Sequence, residues 1–194
     1  MSIEESKDKY RVIDKKLIST YRDGYIGKEV YEVTLNNGRK RKVERITKAG
    51  RNGDAAIIVP ITADNKYVVI VESRPNTEET VCVEFPAGMV DPGETHEQAA
   101  ARELLEETGY TAEKFIELEW HYQDQGCSGA VVKSFVAINC QKTDEQHLDG
   151  TENIDTFELT EEEVDDLTLN NEIKDSGSKL AYYTYKLKKQ KKTL

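Results

Sequence analysis

Long apolar runs are missing from this 194-residue chain. None approaches the ~18 consecutive apolar residues of a membrane span, so a membrane partner is not expected. Cysteine is scarce: Cys82, Cys127 and Cys140 are the only three, with no CxxC pair among them. An odd number without zinc-ligand spacing argues against a disulfide framework or a zinc site, and for reduced thiols in a cytoplasmic setting. Each is expected to serve as a small buried apolar residue. Positive charge is in deficit, with 27 Lys and Arg against 37 Asp and Glu, a net charge of −10. That balance argues against nucleic acid as the main partner. It leaves small anionic substrates open, because a bound metal ion inverts the local charge. The opening MSIEESKDKY is polar, does not read as a signal peptide, and is expected to fray.

What the chain does have is a concentration of charge in one short stretch. Residues 88–110 read GMVDPGETHEQAAARELLEETGY. The spacing predicts a helix: Asp91 or Thr95 can cap its start, Ala99, Ala100, Ala101, Leu104 and Leu105 favour it, and Gly109 can end it in a left-handed conformation. Gly88 and Gly93 are expected in the loop before it, where backbone can approach a ligand closely. On such a helix Glu103, Glu106 and Glu107 stand at i, i+3 and i+4 and share a face. Three carboxylates on one face repel unless a cation joins them. A hard divalent ion with oxygen ligands fits, Mg²⁺ first and Mn²⁺ as a possible substitute. A solvated acidic helix would carry the same cluster, so the spacing has to decide.

Gly88, Glu94, Arg102, Glu103, Leu104, Glu106, Glu107 and Gly109 fall at the intervals of the signature box of the Nudix hydrolases, which this stretch resembles. Tyr110 departs from that pattern, which asks for an aliphatic residue there. Within the family, residues 55–185 look most like the ADP-ribose pyrophosphatase branch. The runs Glu84-Phe85-Pro86-Ala87-Gly88 and Glu72-Ser73-Arg74-Pro75 carry that likeness, together with a predicted N-terminal sheet, which the branch uses to build a homodimer. The resemblance implies hydrolysis of a nucleoside diphosphate linked to another group, with ADP-ribose cut to AMP and ribose 5-phosphate as the leading case. Nucleotide sugars, NADH, nucleoside triphosphates, or binding of ADP-ribose without cleavage are the alternatives. The branch often carries a proline after the box; Gln125-Gly126-Cys127 stand there instead.

Site roles follow from the same resemblance. Glu103, Glu106, Glu107 and the Ala87 carbonyl are the expected metal ligands. Arg102 is expected to orient Glu94 or a metal ligand. The general base is expected on the acidic loop after the box, at Glu152, with Glu145, Asp149 and Asp155 as alternates. Arg74, Glu84, Gly88 and Arg45 are the substrate-binding candidates, and Trp120, Tyr21, Tyr25 or Tyr31 could stack on a base. His96, His121 and His147 have no metal-ligand spacing and are expected to be structural or surface residues.

The rest of the chain reads as strands around that helix. Strands are predicted from Tyr10, over residues 29–35 and 39–46 about an Asn37-Gly38 hairpin, and over 55–61, 67–73, 80–85, 115–122, 130–139 and 155–159. A capping box from Thr160 to Glu163 opens a helix, and Ser178 is expected to cap a last one after a break at Gly177. These elements predict an α+β fold, an α/β/α sandwich with a mixed sheet, preceded by a small antiparallel sheet. The expected division is an N-terminal β subdomain at 1–50, serving dimerisation, and a hydrolase domain at 51–194.

Overall fold

The computed structural model describes residues 2–49, 52–150 and 152–194. The expected boundary at Gly50 and Arg51, and Thr151 of the acidic loop, lie outside the described residues. Two compact units are present: Met1–Gly53 with Tyr122–Ala130, and Asp54–His121 with Val131–Leu194.

The first unit opens with a helix, α1 (Ile3–Tyr10), where fraying was expected. Ser2 and Glu5 form a capping box, the Ser2 Oγ accepting from the Glu5 amide at 3.2 Å. Glu4 and Glu5 lie at the positive end of the helix dipole and Lys7 and Lys9 at the negative end. None of its residues is buried, and hydrogen bonds from Asn36 and Asn37 to Asp8 and Lys9 tie its end to the turn at residues 36–38. Strands β1 (Val12–Asp23), β2 (Ile26–Leu35) and β3 (Lys40–Lys48) then form an antiparallel meander. Its turns are made by Gly24 and Gly38, at φ 68° and 81°. The Asn37-Gly38 hairpin is where the sequence placed it; the Gly24 turn was not foreseen. Residues 122–130 pack into this unit, the Ile46 amide donating to the Cys127 carbonyl at 2.7 Å. Every residue of β1 is exposed, including Leu17, Ile18 and Tyr21.

The second unit is built on an eight-stranded sheet. Its strands are β4 (Ala55–Thr62), β5 (Tyr67–Ser73), β6 (Val81–Glu84), β7 (Ala87–Met89), β8 (Tyr110–Thr111), β9 (Lys114–Tyr122), β10 (Val131–Lys142) and β11 (Ile154–Leu159). The main path runs β11-β5-β4-β10-β8, with β6 on β5, β7 on β4 and β9 on β10. β4 and β10 are parallel while β5, β7 and β11 pair antiparallel, so the sheet is mixed.

Side chains of a strand alternate between faces, and β4 shows it. Ile57, Val59 and Ile61 join one core with Phe85, Val164, Ala181, Tyr182 and Tyr185. Ala56 and Ile58 join the other, with Val90, Ala99, Ala100, Leu104 and Phe135. Helix α2 (His96–Thr108) therefore covers one face, and α3 (Glu161–Leu169) and α4 (Ser176–Lys191) the other. The layers are those of the expected sandwich.

Gly177 does not break the chain. It lies in the first turn of α4, whose cap is Asp175, not Ser178. A Cβ at Gly177 would strike the Ile57 side chain, so the glycine lets α4 close on the sheet. Ser178 instead accepts the Phe85 amide at 3.1 Å. Among the thiols, Cys140 is buried as expected, but Cys82 and Cys127 are only half-buried.

Candidate active site

Thr95 caps α2, its Oγ accepting from the Gln98 amide at 3.2 Å, and Gly109 ends it at φ 75°. Between these ends, Glu103 and Glu107 turn inward and are buried, while Arg102 and Glu106 are half-buried. Gly88 is not in a loop: it belongs to β7, opposite Ala56 of β4. Its lack of a side chain is a spatial need, since a Cβ there would overlap the Glu103 carboxyl. The glycine and the glutamate thus define one packed contact between sheet and helix.

Arg102 organises the cluster. It donates bidentately to Glu94 at 3.0 and 2.9 Å, to Glu103 at 2.7 Å, to Glu106 at 3.0 Å, and to the Met89 carbonyl at 2.8 Å. Glu107 is held differently, accepting the Ala87 amide at 3.0 Å. Arg74 donates to Glu84 at 2.7 Å and ion-pairs with Glu72 at 2.7 Å.

These groups line one cleft of about 340 Å³. From the expected set it gathers Arg74, Ala87, Gly88, Arg102, Glu103, Glu106, Glu107 and Glu152. Asp149, an alternate for the base, also lines it, whereas Glu145 and Asp155 do not. Glu84 is buried and reaches the cleft only through Arg74. Arg45 belongs to the first unit, where it pairs with Glu29 at 2.7 Å and lies over the Tyr31 ring. Four lining residues were not among the site candidates: Glu72, Met89, Asp91 and His147. His147, expected to be structural or at the surface, has its imidazole 3.1 Å from Asp144. Glu72 was quoted only as part of a likeness, and it is buried.

Seven carboxyl side chains thus face two guanidinium groups in this cleft. Burial pushes the Glu107 carboxyl up to about 9, reinforced by the charge of Glu103 and opposed by the Ala87 amide. Burial likewise raises Glu103 to about 7 against the pull of Arg102, and Glu72 to about 6. Glu94 goes the other way, lowered by its bond to Arg102. A buried carboxylate ionises freely only when a cation shares it.

The donor set suits a hard divalent ion: oxygens from one helix face beside a strand that carries no side chain at Gly88. Among the described residues, though, no three His, Cys, Asp or Glu side chains converge as a finished ligand set. Arg102 bonds one oxygen of Glu103 and one of Glu106, and the Ala87 amide bonds one of Glu107.

Comparison with known proteins follows this geometry. Residues 51–180 match the NUDIX domain family. The chain is 31% identical over 186 residues to an ADP-ribose pyrophosphatase of Bacillus subtilis (strain 168), covering 95% of this chain and 94% of that one. It is 32% identical over 154 residues to a methanol dehydrogenase activator of Bacillus methanolicus, covering 79% and 80%. It is 34% identical over 116 residues to an ADP-sugar pyrophosphatase of Mus musculus, covering 58% and 53%. A crystal structure of an ADP compounds hydrolase superposes with a TM-score of 0.76 at 23% identity, over 96% of this chain and 97% of that one. This last likeness speaks to the fold.

Proposed function

The chain belongs to the Nudix hydrolase family, and from that premise we propose that it is a pyrophosphohydrolase of ADP-ribose-like compounds, with ADP-ribose itself cut to AMP and ribose 5-phosphate. One observation carries this reading. Gly88, Arg102, Glu103, Glu106 and Glu107 of the 88–109 signature line a single cleft, and Glu152 of the acidic loop lines it too.

We propose Mg²⁺, with Mn²⁺ as a substitute, held by Glu103, Glu106, Glu107 and the Ala87 carbonyl. When bound, such an ion screens the diphosphate, acidifies a water and stabilises the departing oxygen. The protein's share is arrangement. Arg102 keeps a bidentate hold on Glu94 and a bond to the Met89 carbonyl, so Glu103 and Glu106 can change partners without the guanidinium leaving. Arg74, gripped by two buried carboxylates, offers its remaining edge to a phosphate. Glu84 then acts on the substrate through Arg74. Gly88 brings the strand against Glu103 and leaves its own backbone bare to the ligand. Glu152 takes the proton of the attacking water, once its carboxylate leaves the Asp149 amide it now accepts at 2.8 Å. Arg45 keeps a proposed substrate role from the family likeness alone; within the first unit its guanidinium pairs with Glu29.

We also propose a homodimer through the N-terminal sheet, since β1 leaves Leu17, Ile18 and Tyr21 uncovered. Light scattering that returned the monomer mass at assay concentrations would overturn that. A cytoplasmic setting accords with the three free thiols. Among the described residues no helix is long and apolar enough to cross a membrane.

The deciding experiment is turnover of ADP-ribose, ADP-glucose, NADH and 8-oxo-dGTP with Mg²⁺, products resolved by chromatography. AMP and ribose 5-phosphate from ADP-ribose at the highest kcat/KM is the expected result. No turnover of any of the four would overturn the reading.

A further inference from the structure

The acidic loop between β10 and β11 carries Glu152, and its attachment to the rest of the unit is uneven. Its first half is bound to the C-terminal end of α2 through backbone groups. The Thr143 and Asp144 amides donate to the Gly109 carbonyl at 2.9 and 3.1 Å, and the His147 amide donates to the Glu106 carbonyl at 2.8 Å. These carbonyls belong to the last turn of a helix, where intrahelical donors run out. Its second half, around Glu152, bonds to itself and to β5, where the Ser73 amide donates to the Asn153 carbonyl at 3.3 Å. The Glu152 amide donates to the Asp149 carbonyl at 2.9 Å, and the Asp149 amide donates back to the Glu152 carboxylate at 2.8 Å.

One side chain joins the two halves. The Gln146 amide nitrogen donates to the Glu107 carbonyl at 2.6 Å and to the Ile154 carbonyl at 3.2 Å, with Thr156 Oγ1 at 3.3 Å. Glu107 is a buried residue of the cleft. Ile154 opens β11 two residues after Glu152. An amide nitrogen has two hydrogens, and here they bridge the end of the helix to the start of the strand. The bridge links the Glu107 backbone to the strand start just after Glu152.

We propose that Gln146 is a positioning residue: its amide fixes where Glu152 enters the cleft relative to Glu107, and so governs the proton-transfer step without touching substrate. This rests on the assignment of Glu152 as the base. The family signature ends at the helix and says nothing about residue 146.

The test is Gln146→Met, which keeps length and removes both donors, alone and combined with Glu152→Gln. Expected for Q146M is a kcat at least tenfold lower, KM for ADP-ribose within twofold, and no further loss when Q146M is added to E152Q. Hydrogen exchange should quicken across residues 143–154 in Q146M, with exchange in β4 and β10 unchanged. Unaltered kcat, or the same fold-loss in both backgrounds, would overturn the proposal, since a merely structural defect would act with or without Glu152. An E152Q protein with full kcat would overturn the base assignment. A wild-type protein without Mg²⁺-dependent turnover would overturn the functional reading. In either of those cases loop exchange alone decides the tether, and equal exchange in the two proteins overturns it.

Discussion

Adding one methyl group at Gly88 tests the contact on which the cleft is built. A Cβ there would overlap the Glu103 carboxyl, and neither side has room to retreat. Gly88 pairs with Ala56 on β4, a strand buried on both faces. Glu103 is 9% exposed and bonded to Arg102 at 2.7 Å. The carboxyl must swing away, losing that bond, or the strand must shift; overpacking of this kind costs about 1–3 kcal/mol. In an E103A background the obstruction is gone, so G88A should cost close to nothing. The coupling between the two changes should therefore equal most of the single-mutant loss, about 1–3 kcal/mol, as expected for side chains in direct contact. Urea unfolding of wild type, G88A, E103A and the double variant measures it. EDTA should be present, so that metal binding to the folded state does not contribute. Turnover should fall at least tenfold in G88A and should not return in the double variant. An equal destabilisation by G88A in both backgrounds would refute the reasoning, because the cost would then come from the strand backbone and not from Glu103.

Glu107→Gln keeps the shape of a carboxyl that burial already pushes up to about 9. It should abolish Mg²⁺-dependent turnover and leave the EDTA-state unfolding free energy at pH 7 no lower than that of wild type, read from the same denaturation curves, because a carboxyl held above its ordinary value costs stability at neutral pH and a neutral amide does not. Glu161 is lowered to about 2 by hydrogen bonds from Lys189 and Lys186, so its pairing supports the fold above its ordinary value near 4.5 and is lost as pH falls toward 2. Its side chain is 38% exposed, and screening limits the effect to about 0–1 kcal/mol. Wild type and E161Q should therefore differ in urea midpoint at pH 7 and converge only as pH falls toward 2; a gap that widens on acidification would contradict this. Burial raises the Cys140 thiol to about 11. At pH 8 a thiol reagent should label Cys82 and Cys127 in the native protein and Cys140 only after unfolding, as peptide mass mapping would show.

The parts of the fold that could be read from the sequence are those whose causes are local. Helix α2 was legible because its cap, its apolar positions and its terminal glycine each act within a few residues. The Asn37-Gly38 turn and the capping box at Thr160 are of the same kind. Helix α1 has a capping box and matched end charges but no buried residue, so it shows no apolar stripe in the sequence, and its last turn is also held by Asn36 and Asn37. Gly177 failed for the opposite reason. Its role is set by Ile57, which only the packing of α4 on β4 brings near, and a glycine beside a serine looks like a break until that neighbour is known.

In the cleft, the helix residues could be named from spacing, while the groups opposite them depend on pairing between distant strands. Glu72 was within reach all the same. On β5 it shares parity with Val68 and Ile70, both buried, so alternation carries it to the same face of the sheet as α2. A glutamate that continues a buried apolar series must find a cation or hold a proton, and Arg74 lies two residues on. Gln146 offers no comparable clue. Its partners are the carbonyls of Glu107 and Ile154, and a backbone carbonyl is the same whatever residue carries it. Sequence patterns can report side chains that must meet, but a tether made to main-chain oxygens leaves a mark on one residue only, and a lone glutamine in an acidic loop reads as solvent-facing until both carbonyls are in place.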